Sequence, residues 1–179
     1  FYMDYSNLQF FELVGTGPDS RLVVQSTDAK IKGLELEVLA LPIDDLEISA
    51  TYALLDTKLG DYINLKGVDF TGNELTRSPK SSYSIAANYL IPLADNGLLR
   101  IGGAYEYKGA KFFDIANSAI AKEPGNGIIN ASIRYESADG SWSVTAWGKN
   151  ITDELYREAL LNAADTGFAR MNDPRTFGI

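Results

Sequence analysis

The chain of 179 residues is predicted to be all-β, an antiparallel up-and-down transmembrane β-barrel segment of about eight strands. Three observations predict it. Apolar residues recur at every second position in six separate runs. Turn residues and prolines fall between the runs, and the connections alternate between tight and long. Five alternate positions span eight steps of about 3.4 Å, or ~27 Å; tilted by about 40°, this approaches the ~25 Å apolar band of an outer-membrane barrel.

The strands follow in order, at roughly 1–13, 21–41, 45–58, 79–92, 97–110, 126–137, 141–151 and a shortened 170–179. In the second, Leu34, Leu36, Val38 and Ala40 oppose Gly33, Glu35, Glu37 and Leu39. In the third, Leu46, Ile48, Ala50, Tyr52 and Leu54 oppose Glu47, Ser49, Thr51, Ala53 and Leu55. The fourth sets Tyr83, Ile85, Ala87, Tyr89 and Ile91 against Ser82, Ser84, Ala86, Asn88 and Leu90. The fifth, sixth and seventh repeat the pattern through Ile101, Tyr105 and Tyr107, then Ile129 and Ile133, then Trp142, Val144 and Ala146. No charge falls on the apolar face within these runs, and none of them has the 3.6-residue period of a helix.

Punctuation supports the same division. All six prolines lie at run edges or between runs, as the missing backbone donor requires. Pro42–Asp45, Pro92–Gly97 and Ala138–Gly140 are tight turns, whereas Leu59–Ser78, Ala110–Asn126 and Thr152–Arg170 are long polar loops. Tight turns therefore gather at one end of the sheet and long loops at the other. Tyr89, Tyr135 and Trp142 lie near the tight turns and Tyr105 and Tyr107 towards the loops, as interfacial girdles require. A soluble β-sandwich binding module, for carbohydrate or a similar ligand, is the alternative that alternation also permits.

Composition excludes several functions. The chain carries 16 Lys+Arg against 24 Asp+Glu, a net charge of −8, which opposes nucleic-acid binding. It has neither Cys nor His, so disulfides, zinc-thiolate sites and Ser-His or Cys-His catalytic pairs are absent from it. No metal site, cofactor or enzymatic activity is expected. An outer-membrane lipase or protease would lean on His. No signal peptide is visible, both ends read as cut, and no apolar run approaches the about 20 residues of a membrane helix.

Local motifs point to a family. Lys149-Asn150-Ile151-Thr152-Asp153-Glu154-Leu155-Tyr156 resembles a segment near the end of TonB-dependent outer-membrane receptors, and Pro174-Arg175-Thr176-Phe177-Gly178 resembles the start of their last strand. Gly33-Leu34-Glu35-Leu36-Glu37 with Pro42-Ile43-Asp44-Asp45-Leu46 is similar to one of their hairpins, and Ser78-Pro79-Lys80 to their strand re-entry after an extracellular loop. The resemblance implies a barrel of about 22 strands around an N-terminal plug, in the outer membrane of a Gram-negative bacterium. Such receptors import siderophores, cobalamin, haem, sugars or other scarce nutrients with energy from the inner-membrane TonB complex. By the same resemblance, residues 1–179 are the C-terminal portion of the barrel domain, without the plug, the TonB box and the earlier strands. The implied partners are that plug, the TonB complex through it, membrane lipid and an unidentified small-molecule substrate.

Site residues follow from the inward face. Glu35 and Glu37 alternate there, and the resemblance implies pairing with plug arginines; a hydrated interior lined with acids is the alternative. Arg100 and Arg134 are further plug-facing candidates, accompanied by Glu106, Glu136 and Lys149 in what also reads as a solvated charge ladder. Phe112, Phe113 and Asp114 open a long loop and read either as substrate contacts or as a girdle edge. Asp56, Asp61 and Asp69 lack calcium-loop spacing. The ligand-binding residues and the substrate are not legible.

Overall fold

The computed structural model describes every residue except Thr16, Asp95, Ala164 and Asp165. Its strands are β1 (Tyr2–Val14), β2 (Arg21–Ile43), β3 (Leu46–Leu59), β4 (Ser81–Pro92), β5 (Leu98–Lys108), β6 (Lys111–Phe112), β7 (Lys122–Glu123), β8 (Asn126–Glu136), β9 (Ser143–Lys149), β10 (Arg157–Ala163), β11 (Thr166–Met171) and β12 (Thr176–Gly178). Eight of them form one antiparallel sheet in the order β1-β2-β3-β4-β5-β8-β9-β12, with β1 and β12 as its edges. The pairs β6-β7 and β10-β11 are separate small sheets within the long connections.

Register explains why one face of this sheet is apolar across a band next to the tight turns, with charges such as Lys32 and Asp56 only above it. Because side chains alternate with period two, antiparallel partners share a face, and a slip of one residue would invert it. Val38 faces Ala50, Ala50 faces Ile85, Ile85 faces Tyr105, and Tyr105 faces Ile129. The next row towards the tight turns runs Ile48, Ala87, Gly103, Ala131, Gly148 and Phe177. Below it lie Leu46, Tyr89, Ile101, Ile133 and Ala146. The opposite face runs Glu37, Thr51, Ser84 and Glu106 in one row and Glu47, Asn88, Gly102, Ser132 and Trp147 in another.

No second layer of the described residues faces this sheet. Among the described residues no large side chain is fully buried, and Leu34 and Leu36 on the apolar face are 58% and 57% exposed. A sandwich would bury such residues against a second inner face about 10 Å away. A one-layer wall whose apolar side lies open has the anatomy of a barrel facing hydrocarbon. The described residues with buried side chains are Thr27, Ala29, Thr57, Leu59, Tyr62, Ala121, Glu123, Asn126, Asn150 and Asn172. All of them lie at the long-loop end of the sheet.

Small residues on the lipid-facing side make room for rings. A Cβ added at Gly127 would collide with the ring and hydroxyl of Tyr105, and one at Gly148 with the ring of Phe177. Aromatic rings thus lie over the glycines of neighbouring strands, covering backbone that a glycine leaves bare.

The structure corrects the predicted elements in four places. Ala110–Asn126 is not wholly a loop, since β6 and β7 pair within it, Lys111 with Glu123 and Phe112 with Lys122. Thr152–Arg170 is not wholly a loop: it contains the β10-β11 hairpin, in which Leu160 pairs with Ala169 and Leu161 with Phe168. The predicted strand 141–151 ends at Lys149, because Asn150 takes a φ of 49° and its side chain turns back to cap Glu154. The last strand begins at Thr176 rather than 170. Asn172 is held beforehand by its N–H to the Tyr156 carbonyl, and Asp173 by the Asn150 side chain. In the tight turn predicted over Pro92–Gly97, Asp95 lies outside the described residues, while Leu93 N–H bonds the Gly97 carbonyl at 2.9 Å.

Candidate functional site

Glu35, Glu37, Arg100 and Arg134 lie on the polar face, which in a closed barrel lines the bore. Glu35 stands opposite Ala53 and Glu37 opposite Thr51, in the half of the wall nearer the long loops. The Thr51 hydroxyl shares a 2.7 Å hydrogen bond with Ser84, continuing the polar row onto β4. Arg100 and Arg134 are brought directly opposite one another across β5 and β8, near the tight turns. Arg134 reaches Glu136 at 3.3 Å. The structure does not bring the two glutamates to the two arginines, since β3 and β4 lie between them.

A second functional region is the collar built by the long connections. Segment 60–80 is tied to segment 109–125 by reciprocal bonds between Glu74 and Asn117, at 2.8 and 3.0 Å, and by Asn73 Nδ2 to the Ile115 carbonyl at 2.9 Å. Arg77, itself at a φ of 59°, donates its N–H to Phe112. The hairpin β10-β11 joins the same cluster through Arg157. Its Nε lies 2.5 Å from the buried Glu123 carboxylate, and its other nitrogens bond the carbonyls of Ile120 and Lys122. On the far side, Tyr62 donates to Glu12 at 2.7 Å, and Thr27 to the Asp61 carbonyl at 3.0 Å.

Phe112 and Phe113 belong to this collar rather than to an open loop. Lys122 lies over the Phe112 ring, and Lys111 and Arg157 over Phe113, at 5.4 to 5.8 Å. Burial, with the charge of Lys108 second, pulls the Lys111 ammonium below its ordinary range. Asp114 is occupied locally, accepting from the N–H and hydroxyl of Ser118. Asp69 is likewise taken up by Thr71, whose hydroxyl and N–H lower its carboxyl. Among the described residues no group of His, Cys, Asp or Glu could hold a metal ion.

Arg157 and Glu123 are the residues that sequence reasoning missed. They lie 34 positions apart in segments of no periodicity, and no local signal joins them.

A one-layer antiparallel wall with a lipid-scaled apolar face, a polar bore face and a tied collar at one end defines part of a transmembrane β-barrel. Residues 1–151 match the model of the TonB dependent receptor-like β-barrel family, and the chain belongs to it. Among solved structures it resembles the ferric yersiniabactin uptake receptor of Yersinia pestis, with a TM-score of 0.76 and 14% identity over 98% of this chain and 33% of that one. The ferric preacinetobactin receptor of Acinetobacter baumannii gives 0.70 and 17%, over 98% of this chain and 25% of that one. The ferric-catecholate import receptor of E. coli gives 0.67 and 16%, over 98% and 23%. These likenesses show a common fold, and the chain spans a third or less of each receptor's length. Proteins of this family lie in the Gram-negative outer membrane, which is where this wall belongs.

Proposed function

We propose that residues 1–179 form the C-terminal portion of the barrel of an outer-membrane, TonB-dependent receptor that imports a scarce nutrient of the ferric-siderophore class. The observation that carries this reading is the family match over 1–151, joined to a sheet whose outward rows are apolar across β2 to β9. The chain acts in binding and transport, not catalysis. Its bore face receives a plug domain, and the TonB complex supplies energy through that plug. The collar, with its aromatic and cationic side chains around Phe112 and Phe113, stands where an incoming ligand meets the barrel.

On this reading Glu35, Glu37, Arg100 and Arg134 face the plug. The test is uptake of radiolabelled ferric siderophore by iron-starved cells, with and without the full-length gene and with and without TonB. Uptake requiring both is expected. Uptake unchanged by loss of either would overturn the proposal. Within an active receptor, charge-neutral E35Q and E37Q variants are expected to loosen the plug. Unchanged transport and plug stability would remove those two glutamates from the docking surface.

A further inference from the structure

The two arginines on the bore face present an electrostatic problem that the wall itself leaves unsolved. Arg100 and Arg134 are direct cross-strand partners on β5 and β8, so their Cα atoms stand about 4.5–5.5 Å apart with both side chains on one face. Like charges in that position destabilise a sheet. Their neighbours in the same row are Leu90 and Thr145, neither of which carries charge. Among the described residues the carboxylate that reaches the pair is Glu136, on Arg134 at 3.3 Å. Arg100 has no hydrogen bond or ion pair among them and is exposed. Two guanidinium groups with one carboxylate leave a positive charge and a fan of unused donors directed into the bore.

We propose that Arg100 and Arg134 form a docking fork for a carboxylate side chain of the domain that fills the barrel, at the tight-turn end of the bore. This rests on the receptor reading given above and names the chemistry of the partner at that surface. Guanidinium donors are planar and forked, so two of them side by side match the oxygens of one carboxylate better than a lysine pair would. The wall is also polarised. On β3 and the stretch of β2 paired with it, the bore-facing charges are the acids Glu35, Glu37 and Glu47, whereas on β5 and β8 Arg100, Arg134 and Lys108 outnumber Glu106 and Glu136, with β4 between. A bound domain with acidic and basic faces therefore has one preferred rotation in the bore, with its acid against the fork.

The test uses the full-length receptor in outer-membrane vesicles, with hydrogen exchange read across the bore-filling domain. The double variant R100E/R134E is expected to speed exchange in one segment of that domain by about tenfold or more, the scale for breaking a desolvated charge pair. R100K/R134K is expected to retain part of the protection, and heat-modifiable gel migration reports that each barrel has folded. If the charge reversals fail to fold, the neutral R100Q and R134Q variants are read by the same criterion. Unchanged exchange in folded variants overturns the fork. Protection in the wild type that follows added inorganic phosphate at fixed ionic strength, rather than the domain's own contacts, also overturns it and assigns the pair to a free anion. A full-length chain without any bore-filling domain would instead overturn the receptor reading.

Discussion

Tyr62 donates its hydroxyl to the Glu12 carboxylate at 2.7 Å across 50 positions of chain, while its ring stands edge-on to Phe10 at 4.9 Å. The contact pins segment 60–80 to the extension of β1 and β2 that rises above the rest of the wall. Y62F removes the hydrogen bond and keeps the ring, so it is expected to cost about 1 kcal/mol. Hydrogen exchange across residues 61–71 measures it, and Y62A is expected to do several times more damage because the ring is lost.

The same phenol has a pH signature. Burial first, and the hydrogen bond to Glu12 second, raise its pKa above the ordinary 10.0. A raised folded-state value means the contact is fully present below the ordinary 10.0 and is lost as pH climbs through the raised value. Ultraviolet titration of tyrosinate should show Tyr62 as the last tyrosine to ionise, and that final step should vanish in Y62F.

Arg157–Glu123 is the most buried ion pair among the described residues. The Glu123 side chain is 5% exposed, so R157A strands a buried carboxylate and is expected to cost about 3 kcal/mol or more. Exchange at residues 111–123 should rise accordingly. Replacing both partners, as E123L/R157M, should recover much of that loss, since two apolar groups leave no unpaired charge. If the double replacement were as disruptive as R157A alone, the pair would be acting through something other than its buried charge.

Two alanines one strand apart test the assignment of faces. Ala131 lies in the middle apolar row, and Ala104 lies on the bore face opposite Asn130. A131R is expected to cost about 2–4 kcal/mol on folding into lipid vesicles, the penalty for arginine at the bilayer midplane. A104R is expected to cost less than about 1 kcal/mol, because that side is wet. Equal costs would mean the faces are reversed or that neither meets lipid.

At the opposite end, Asp139 organises the turn between β8 and β9. It accepts from the hydroxyls of Ser137 and Ser141 at 2.7 Å and from the Ser141 N–H at 3.1 Å. These bonds hold its carboxyl down to about 2, below the ordinary 3.8. A depressed value means the turn's contribution is present above the ordinary pKa and is lost as pH falls through about 2. Carboxyl NMR should place the Asp139 midpoint there, and an S137A/S141A variant should return it towards the ordinary value.

The wall was legible because lipid imposes a regular rule. Leu46 to Leu54 and Tyr83 to Ile91 alternate without a charged residue on the apolar face, Pro42 falls at the register shift between Ala40 and Ile43, and Pro92 is the last residue of β4. The collar obeys no such rule. Arg157–Ala163 has no alternation, since β10 pairs with β11 alone and answers to no bilayer, so its strand was hidden within a polar loop. Of the candidate site, the bore-facing side chains were legible from parity. That Arg100 and Arg134 are direct partners required the register between β5 and β8, which no single strand contains.

The concentration of buried residues in the collar has a kinetic consequence. Four of the wall's pairings, β1-β2, β2-β3, β4-β5 and β8-β9, close over short connections and can form first. The collar's ties join residues 34 to 50 positions apart, as in Glu123–Arg157, Asn73–Ile115 and Glu12–Tyr62. Each must wait until the hairpins beneath it stand. The rim is therefore the last part to set, and it sets as a clasp over staves already in place.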